Sequence, residues 1–514
     1  MVSITGGGHS AFFEKSATQV LLIFLVASFL RGLPEFLSDI YPVGFDTLQG
    51  YIPAVLDLPN NSFMRAAGWA YSPLAVIFLW FFRVVTRIDV YLLLKVAAPI
   101  FYGLFGISFY FMLFFGLGWS SKKSFFVALL LILQPAILRM GWDQLRELLG
   151  LIFLFVLLAV AKCNLLSGSR TKVFFVFCMS VLILFSHQLI AILLFIIFSY
   201  QLLTYKSKKD KIFLSTAFAM LPSAVIFIWQ LYSQFLNPAY SNHFVPLRLP
   251  TGSGNFVFTN YFLSDPRFFE GSHFTVLSYV GCLLFYTIVP LIPFAIKGFF
   301  KDRVFLPMLI WLLPASLSIL VYPWYALSQY WWWILLLPIP LTVYLGEYLD
   351  RKHIFDKAKT NKSKKIFWVV LFMLGLLATG YAGSKQLGYS YITFAFPYAY
   401  TYLPTGMVQS SIPFTDIPDV TAALRWMNEN APRNAIVLVQ EKIQGFAYIE
   451  LRSDFLIRDS PSLITLNEAI KLVSENLNTS YAVWYTENVD YRAFSGSIIV
   501  EFGRIGIFEI QENQ

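Results

Sequence analysis

Two short polar stretches interrupt an otherwise apolar chain, and their positions decide the fold. Residues 41–53 read YPVGFDTLQGYIP, and residues 139–147 read RMGWDQLRE. Each stretch lies at or just beyond the end of an apolar segment of membrane-spanning length, which is roughly 17–25 residues. Asp46 and Asp143 therefore follow predicted membrane helices. Ionisable groups at that depth are costly and mark functional sites.

The composition is that of a polytopic membrane protein. Of 514 residues, 57% are hydrophobic and 13% are charged, and the mean hydropathy is +0.64. Soluble proteins carry about 25% charged residues.

Charge is distributed unevenly along the chain. Residues 383–514 contain 14 Asp and Glu and 9 Lys and Arg, whereas residues 1–382 contain 15 Asp and Glu and 29 Lys and Arg. This basic excess lies in short loops, which indicates positive-inside topology and no nucleic-acid partner.

Eleven apolar segments are predicted to span the cell membrane, and one more segment, 69–85, is ambiguous. The eleven cover residues 17–33, 90–117, 124–139, 145–161, 173–187, 188–204, 212–232, 274–297, 304–322, 330–348 and 366–382. If 69–85 lies on the outer face, 19 of the 24 Lys and Arg between residues 90 and 382 are cytoplasmic. If 69–85 spanned the membrane, every later loop would change side and most of these Lys and Arg would lie outside. We therefore predict an outer-face helix and a cytoplasmic N-terminus.

The chain divides into two predicted domains of different class. Residues 1–382 form an all-α polytopic membrane bundle, and residues 383–514 form a small extracytoplasmic α/β domain. The second domain is predicted from alternating patterns: helices at 417–430 and 466–476, and strands at 435–439, 481–485, 498–500 and 505–510. On this topology Asp46, Asp143 and the C-terminal domain all face the outer side.

Asp46 is the candidate general base of the first outer loop. A base works best with a pKa near the operating pH, and partial desolvation at the membrane edge raises a carboxyl pKa in that direction. The alternatives are a solvated loop aspartate or the N-cap of a short helix at 47–56. Glu35 and Asp39 compete for the same role, and Tyr51 is assigned to substrate binding.

The second polar stretch and two later positions supply the remaining candidates. Asp143 and Arg146 lie three apart at a helix start and share a face. Arg146 suits a phosphate because its planar fork donates two parallel hydrogen bonds, and Asp143 takes an acceptor or base role. The alternative is an aspartate that stabilises the helix dipole, with a local ion pair. His187 could bind a phosphate or tune a carboxylate, and the alternative is a polar residue in the turn between two helices. Arg248 is a candidate phosphate ligand, and the alternative is a solvated loop charge.

No metal or cofactor is expected. The three cysteines, Cys163, Cys178 and Cys282, have no metal-ligand neighbour at the usual spacing. The sequence contains no GxxxxGK[ST], HExxH or GxSxG motif, so ATP-driven transport and zinc proteolysis have no motif support.

This arrangement resembles the GT-C class of integral-membrane glycosyltransferases, such as protein O-mannosyltransferases and aminoarabinose transferases. In that class an acidic residue follows the first helix, a second follows the third spanning helix, and a Pro-containing motif introduces an outer-face helix. Asp46, Asp143 and Tyr71-Ser72-Pro73 occupy those places here, and residues 423–432 look like the start of the class's soluble domains. The WWDYG-type signature of oligosaccharyltransferases is absent, which argues against en bloc N-glycan transfer.

The resemblance implies transfer of a hexosyl or pentosyl group in the cell envelope. The donor would be a polyprenyl-phosphate sugar in the membrane lipid, and the acceptor a hydroxyl of a glycan, lipid or protein outside. The alternative is a non-enzymatic lipid-linked glycan transporter or envelope assembly factor. A third hypothesis is that the C-terminal domain is a binding module and that the membrane domain is only its anchor. Low interior polarity disfavours the transporter, because transport pathways need polar residues at mid-membrane.

Overall fold

The computed structural model is mostly helical, with a small sheet near its C-terminal end. It describes residues 8–38, 40–44, 46–60, 69–162, 169–204, 211–236, 296, 305–321, 330–351, 368–377, 412–460, 465–473, 480–492, 494 and 496–510. The predicted span 274–297, apart from residue 296, lies outside these residues, as does Arg248.

Fourteen helices make up the described part of the N-terminal region. They are α1 (Gly8–Leu37), α2 (Ile52–Asp57), α3 (Leu74–Thr86), α4 (Val90–Phe111), α5 (Ser121–Ile132), α6 (Pro135–Asp143), α7 (Leu145–Lys162), α8 (Ser169–Ser186), α9 (Gln188–Thr204), α10 (Lys211–Leu236), α11 (Leu306–Val321), α12 (Tyr330–Leu336), α13 (Pro338–Arg351) and α14 (Trp368–Leu377). The π-helical turn Thr47–Tyr51 precedes α2, and a second one, Met112–Gly116, continues α4.

Long apolar helices confirm a membrane protein, while the total of eleven spans stays a prediction. Within the described residues, Ser16–Leu37 and Val90–Gly116 are each long and apolar enough to cross a membrane. The helices α1 and α4 pack closely together, since an added Cβ at Gly103 would lie 2.4 Å from Oγ of Ser28. A glycine is therefore required where these two helices meet.

The predicted span 124–139 is not one straight helix. It is divided into α5 and α6, which bend by 66° across residues 133 and 134. Proline lacks an N–H and disfavours helical geometry in the residue before it. Gln134 precedes Pro135 and is extended, with ψ at 132°. In the predicted span 330–348, the turn residue Leu337, which precedes Pro338, separates α12 from α13.

The ambiguous segment 69–85 contains a short helix. Its helix α3 begins at Leu74, after a 3-10 turn at Trp69–Tyr71, and has 13 residues. At 1.5 Å per residue that length is too short to cross a hydrocarbon core of roughly 30 Å alone. The outer-face assignment and the orientation of the termini stay predictions.

The C-terminal region forms a mixed five-stranded sheet with helices. Its elements are α15 (Ile417–Asn430), β1 (Ile436–Gln440), α16 (Gln444–Glu450), β2 (Leu456–Ser460), α17 (Leu466–Val473), β3 (Ser480–Tyr485), β4 (Ser497–Phe502) and β5 (Ile505–Ile510). The strand order is β2-β1-β3-β5-β4. Strand β1 is parallel to β2 and β3, and β5 is antiparallel to β3 and β4. The four predicted strands are confirmed; β2 and α16 were not predicted.

Candidate functional site

The segment between α1 and α2 carries a compact helical turn that presents Asp46. We use "the Asp46 turn" for Asp46 together with the π-helical turn Thr47–Tyr51. Thr47 Oγ1 donates a hydrogen bond to the backbone carbonyl of Trp142 at 3.0 Å. The Tyr51 hydroxyl accepts one from the backbone N–H of Arg146 at 2.9 Å. The turn is thereby attached to the junction of α6 and α7, where the second polar stretch lies. Single π-helical turns frequently occur at functional sites.

Asp46 has the electrostatic properties of a general base. Its side chain is half-buried, and burial raises the pKa of its carboxyl from 3.8 to about 6, against the opposing effect of the positive charges of Arg146 and Arg139. Burial disfavours the charged form and thus outweighs the two arginines. A carboxylate with a pKa near 6 is ionised at neutral pH and remains basic enough to accept a proton.

Two buried arginines supply positive charge beside Asp46. Arg139 on α6 is fully buried, and Arg146 at the start of α7 is 7% exposed. The guanidinium carbon of Arg139 lies 5.8 Å from the centroid of the Trp142 ring. A guanidinium group can donate two parallel hydrogen bonds to phosphate oxygens, so these arginines are of the residue type that phosphate binding requires.

His187 faces a carboxylate that the sequence analysis did not assign. Its Nε2 lies 3.1 Å from Oε1 of Glu147, and its Nδ1 accepts a hydrogen bond from the backbone N–H of Leu189 at 3.2 Å. A ring nitrogen that accepts is unprotonated, so in the neutral ring the proton is on Nε2, the nitrogen nearer to Glu147. Both side chains are buried. His187 therefore contacts Glu147, the residue that follows Arg146 in the chain.

Glu35, a competitor of Asp46 in the sequence analysis, is engaged in a structural network. Its Oε1 lies 2.6 Å from Nη1 of Arg31, and its Oε2 accepts the backbone N–H of Val43 at 3.0 Å. Nε of Arg31 donates to the carbonyl of Gly141 at 2.7 Å. The pair therefore connects α1 to the segment between α1 and α2 and to α6, and this role is distinct from that of a free base.

The remaining candidates divide into those the structure describes and those it does not. Asp143 ends α6, but its side chain lies outside the described residues, as do Arg248 and Asp39. Arg139 and Glu147 belong to the site but were not assigned. These two residues are the ends of the quoted stretch 139–147, beside predicted helix ends. Their charge at that depth in the membrane was the feature of the sequence that could have identified them.

Among the described residues, no group of three or more His, Cys, Asp or Glu is arranged to hold a metal ion.

Solved structures supply the comparison with known proteins. The chain is similar to the arabinofuranosyltransferase AftD from Mycobacteria, with a TM-score of 0.52 and 12% identity over 97% of this chain and 40% of that one. A mutant of AftD gives a TM-score of 0.50 and 10% identity, over 98% and 42% of the two chains. No family profile and no curated protein sequence matches. The chain thus spans about two fifths of AftD's length, and at this identity the likeness shows a shared fold alone.

Proposed function

We propose that this protein is a membrane glycosyltransferase that moves a sugar from a polyprenyl-phosphate donor to an acceptor hydroxyl on the extracytoplasmic face. The observation that carries the proposal is the half-buried Asp46 carboxyl, with its pKa near 6, beside the cations Arg139 and Arg146. An inverting transfer needs this combination: a base for the acceptor and positive charge for the leaving phosphate. The shared fold with an arabinofuranosyltransferase agrees with it.

The proposed reaction is a single in-line displacement. Asp46 removes the proton of the acceptor hydroxyl while that oxygen attacks the anomeric carbon. The bond between the anomeric carbon and the phosphate oxygen breaks, and polyprenyl phosphate leaves with the electron pair. Arg146, with Arg139 behind it, stabilises the negative charge that develops on the phosphate. Inversion at the anomeric carbon follows because one displacement occurs. The transferred group is a hexose or a pentose.

The proposal is tested by donor cleavage in lipid. The purified protein is offered a panel of hexosyl and pentosyl polyprenyl phosphates with cell-envelope extract as acceptor, and release of polyprenyl phosphate is measured. We expect release by wild type and by Asp57→Asn, a matched control at the end of α2, and a loss of at least about 1000-fold in Asp46→Asn. No release from any donor would favour the transport or assembly function. Full activity of Asp46→Asn would show that Asp46 is not the base.

A further inference from the structure

The C-terminal sheet presents an edge at which such sheets usually bind ligands. The chain leaves β1 for β2 on one side and then crosses to β3 on the other. The carboxyl ends of β1 and β3 therefore form a topological switch point, the usual position of a ligand crevice in open α/β sheets. The segment Glu441–Glu450, which includes α16, follows β1 at this edge.

A side chain of the membrane domain already occupies this position. The Gln49 amide nitrogen donates to the carbonyl of Lys442, and its amide oxygen accepts the backbone N–H of Gly445. An added Cβ at Gly445 would lie 2.4 Å from Cα of Gln49, so the contact requires glycine. Nζ of Lys442 lies 3.7 Å from the centroid of the Tyr485 ring at the end of β3. Gln49 thus contacts the segment after β1, and Lys442 in that segment contacts the end of β3.

Gln49 lies in the middle of the Asp46 turn. The turn is held on one side by the bonds from Thr47 and Tyr51 to the α6–α7 junction. Gln49 holds it to the C-terminal domain and is itself 8% exposed. Tyr41 adds a second contact, with its ring centroid 6.4 Å from that of Phe446 on α16. The turn is therefore fixed from two sides by parts of the chain about 300 residues apart.

We propose that the C-terminal α/β domain positions Asp46 for catalysis, and that Gln49 is the positioning residue through which it does so. Open α/β sheets usually bind a ligand at this edge, whereas here the edge holds the Asp46 turn of the same chain. Gln49 touches no reacting atom; it acts by limiting where the Asp46 turn can lie. The catalytic part of this inference rests on the proposed function, while the positional part does not.

Hydrogen exchange tests the positional part without any assay of activity. Backbone exchange over residues 46–57 is measured in the full chain in lipid for wild type, Gln49→Ala, Gln49→Glu and the neighbouring control Gln444→Ala. Gln49→Ala should speed exchange about 30-fold, the factor expected from two lost hydrogen bonds of ordinary strength. Gln49→Glu keeps the acceptor and loses the donor, so its exchange should be intermediate. Wild-type exchange in Gln49→Ala would overturn the proposal.

Kinetics test the catalytic part. A loosened turn exposes Asp46 to water, so the pKa of its carboxyl falls towards the usual value and the acid limb of the pH–rate profile moves below pH 6. We expect this shift in Gln49→Ala, with kcat lowered and the donor KM nearly unchanged. A purely structural role would reduce the folded fraction and leave the limb in place, which would overturn the proposal. Inactive wild type with faster exchange in Gln49→Ala would refute only the proposed function.

Discussion

Arg31 and Glu35 lie one helical turn apart on α1, and their side chains form a buried ion pair with Nη1 and Oε1 2.6 Å apart. The pair also bonds the backbone at Val43 and Gly141, so it joins three segments of chain around the site. Removing one partner of a buried pair leaves an uncompensated charge, which is strongly destabilising. The network therefore serves stability, and Asp46 stays the proposed base.

Glu35→Gln should lower stability more than it lowers turnover. The neutral amide can still accept the N–H of Val43, but Arg31 loses its counter-charge. We expect the free energy of unfolding to fall by about 3 kcal/mol. The folded fraction should keep kcat within about tenfold of wild type, because Glu35 takes no proton in the proposed reaction. Denaturant unfolding in lipid and donor cleavage measure the two effects.

A surface pair gives the matched control for this change. Arg425 and Glu450 also form an ion pair, but the Arg425 side chain is 66% exposed. Glu450→Gln should change stability by less than about 1 kcal/mol. A Glu35→Gln protein of wild-type stability but without turnover would instead identify Glu35 as the base.

Activity should depend on pH with an acid limb near pH 6. The pKa of Asp46 is raised to about 6, and the base form is the deprotonated one. The value of kcat/KM should therefore rise about tenfold per pH unit below 6 and level off above it. The profile is measured with the donor that the cleavage panel identifies. A limb near pH 4 would mean that the working carboxylate is a fully solvated one.

Asp46→Asn should make the folded protein more stable at pH 8 while abolishing turnover. A carboxyl whose folded pKa lies above its unfolded value of 3.8 destabilises the fold where it is ionised. The shift from 3.8 to about 6 corresponds to up to about 3 kcal/mol at pH 8. The advantage of Asn should shrink as pH falls through 6 and vanish below about pH 4. Asp57→Asn is the control, and unfolding at both pH values is the measurement.

The sequence predicted the local features of this fold and missed the non-local ones. Buried apolar runs identified β1 and β3, but Leu456–Ser460 reads LIRDS, and its two charges conceal an edge strand, where charge is common. Asp46 was assigned from its position beyond a predicted membrane helix, and its role stays a prediction. Its attachment to α6 and α7 depends on the bend at Gln134 and on the π-helical turn, which no periodicity indicates. The contact of Gln49 with Gly445 joins residues 396 positions apart.

Arg146→Gln should weaken donor binding and move the acid limb upward at the same time. Losing a charged hydrogen-bond donor to phosphate should raise the donor KM about 10- to 100-fold. The positive charge of Arg146 lowers the pKa of Asp46, so its removal should shift the limb above pH 6. Initial rates across donor concentration and pH measure both effects. The exposed Arg425→Gln is the control and should change neither.

Arg146→Lys separates the charge of this residue from its shape. Lysine keeps the positive charge, so the acid limb should stay near pH 6. It lacks the planar fork that binds two phosphate oxygens, so the donor KM should still rise, by less than in Arg146→Gln. If both variants kept the wild-type donor KM while the limb moved only in Arg146→Gln, Arg146 would tune Asp46 without binding the donor. The phosphate would then belong to Arg139 or to a cation of the outer loop.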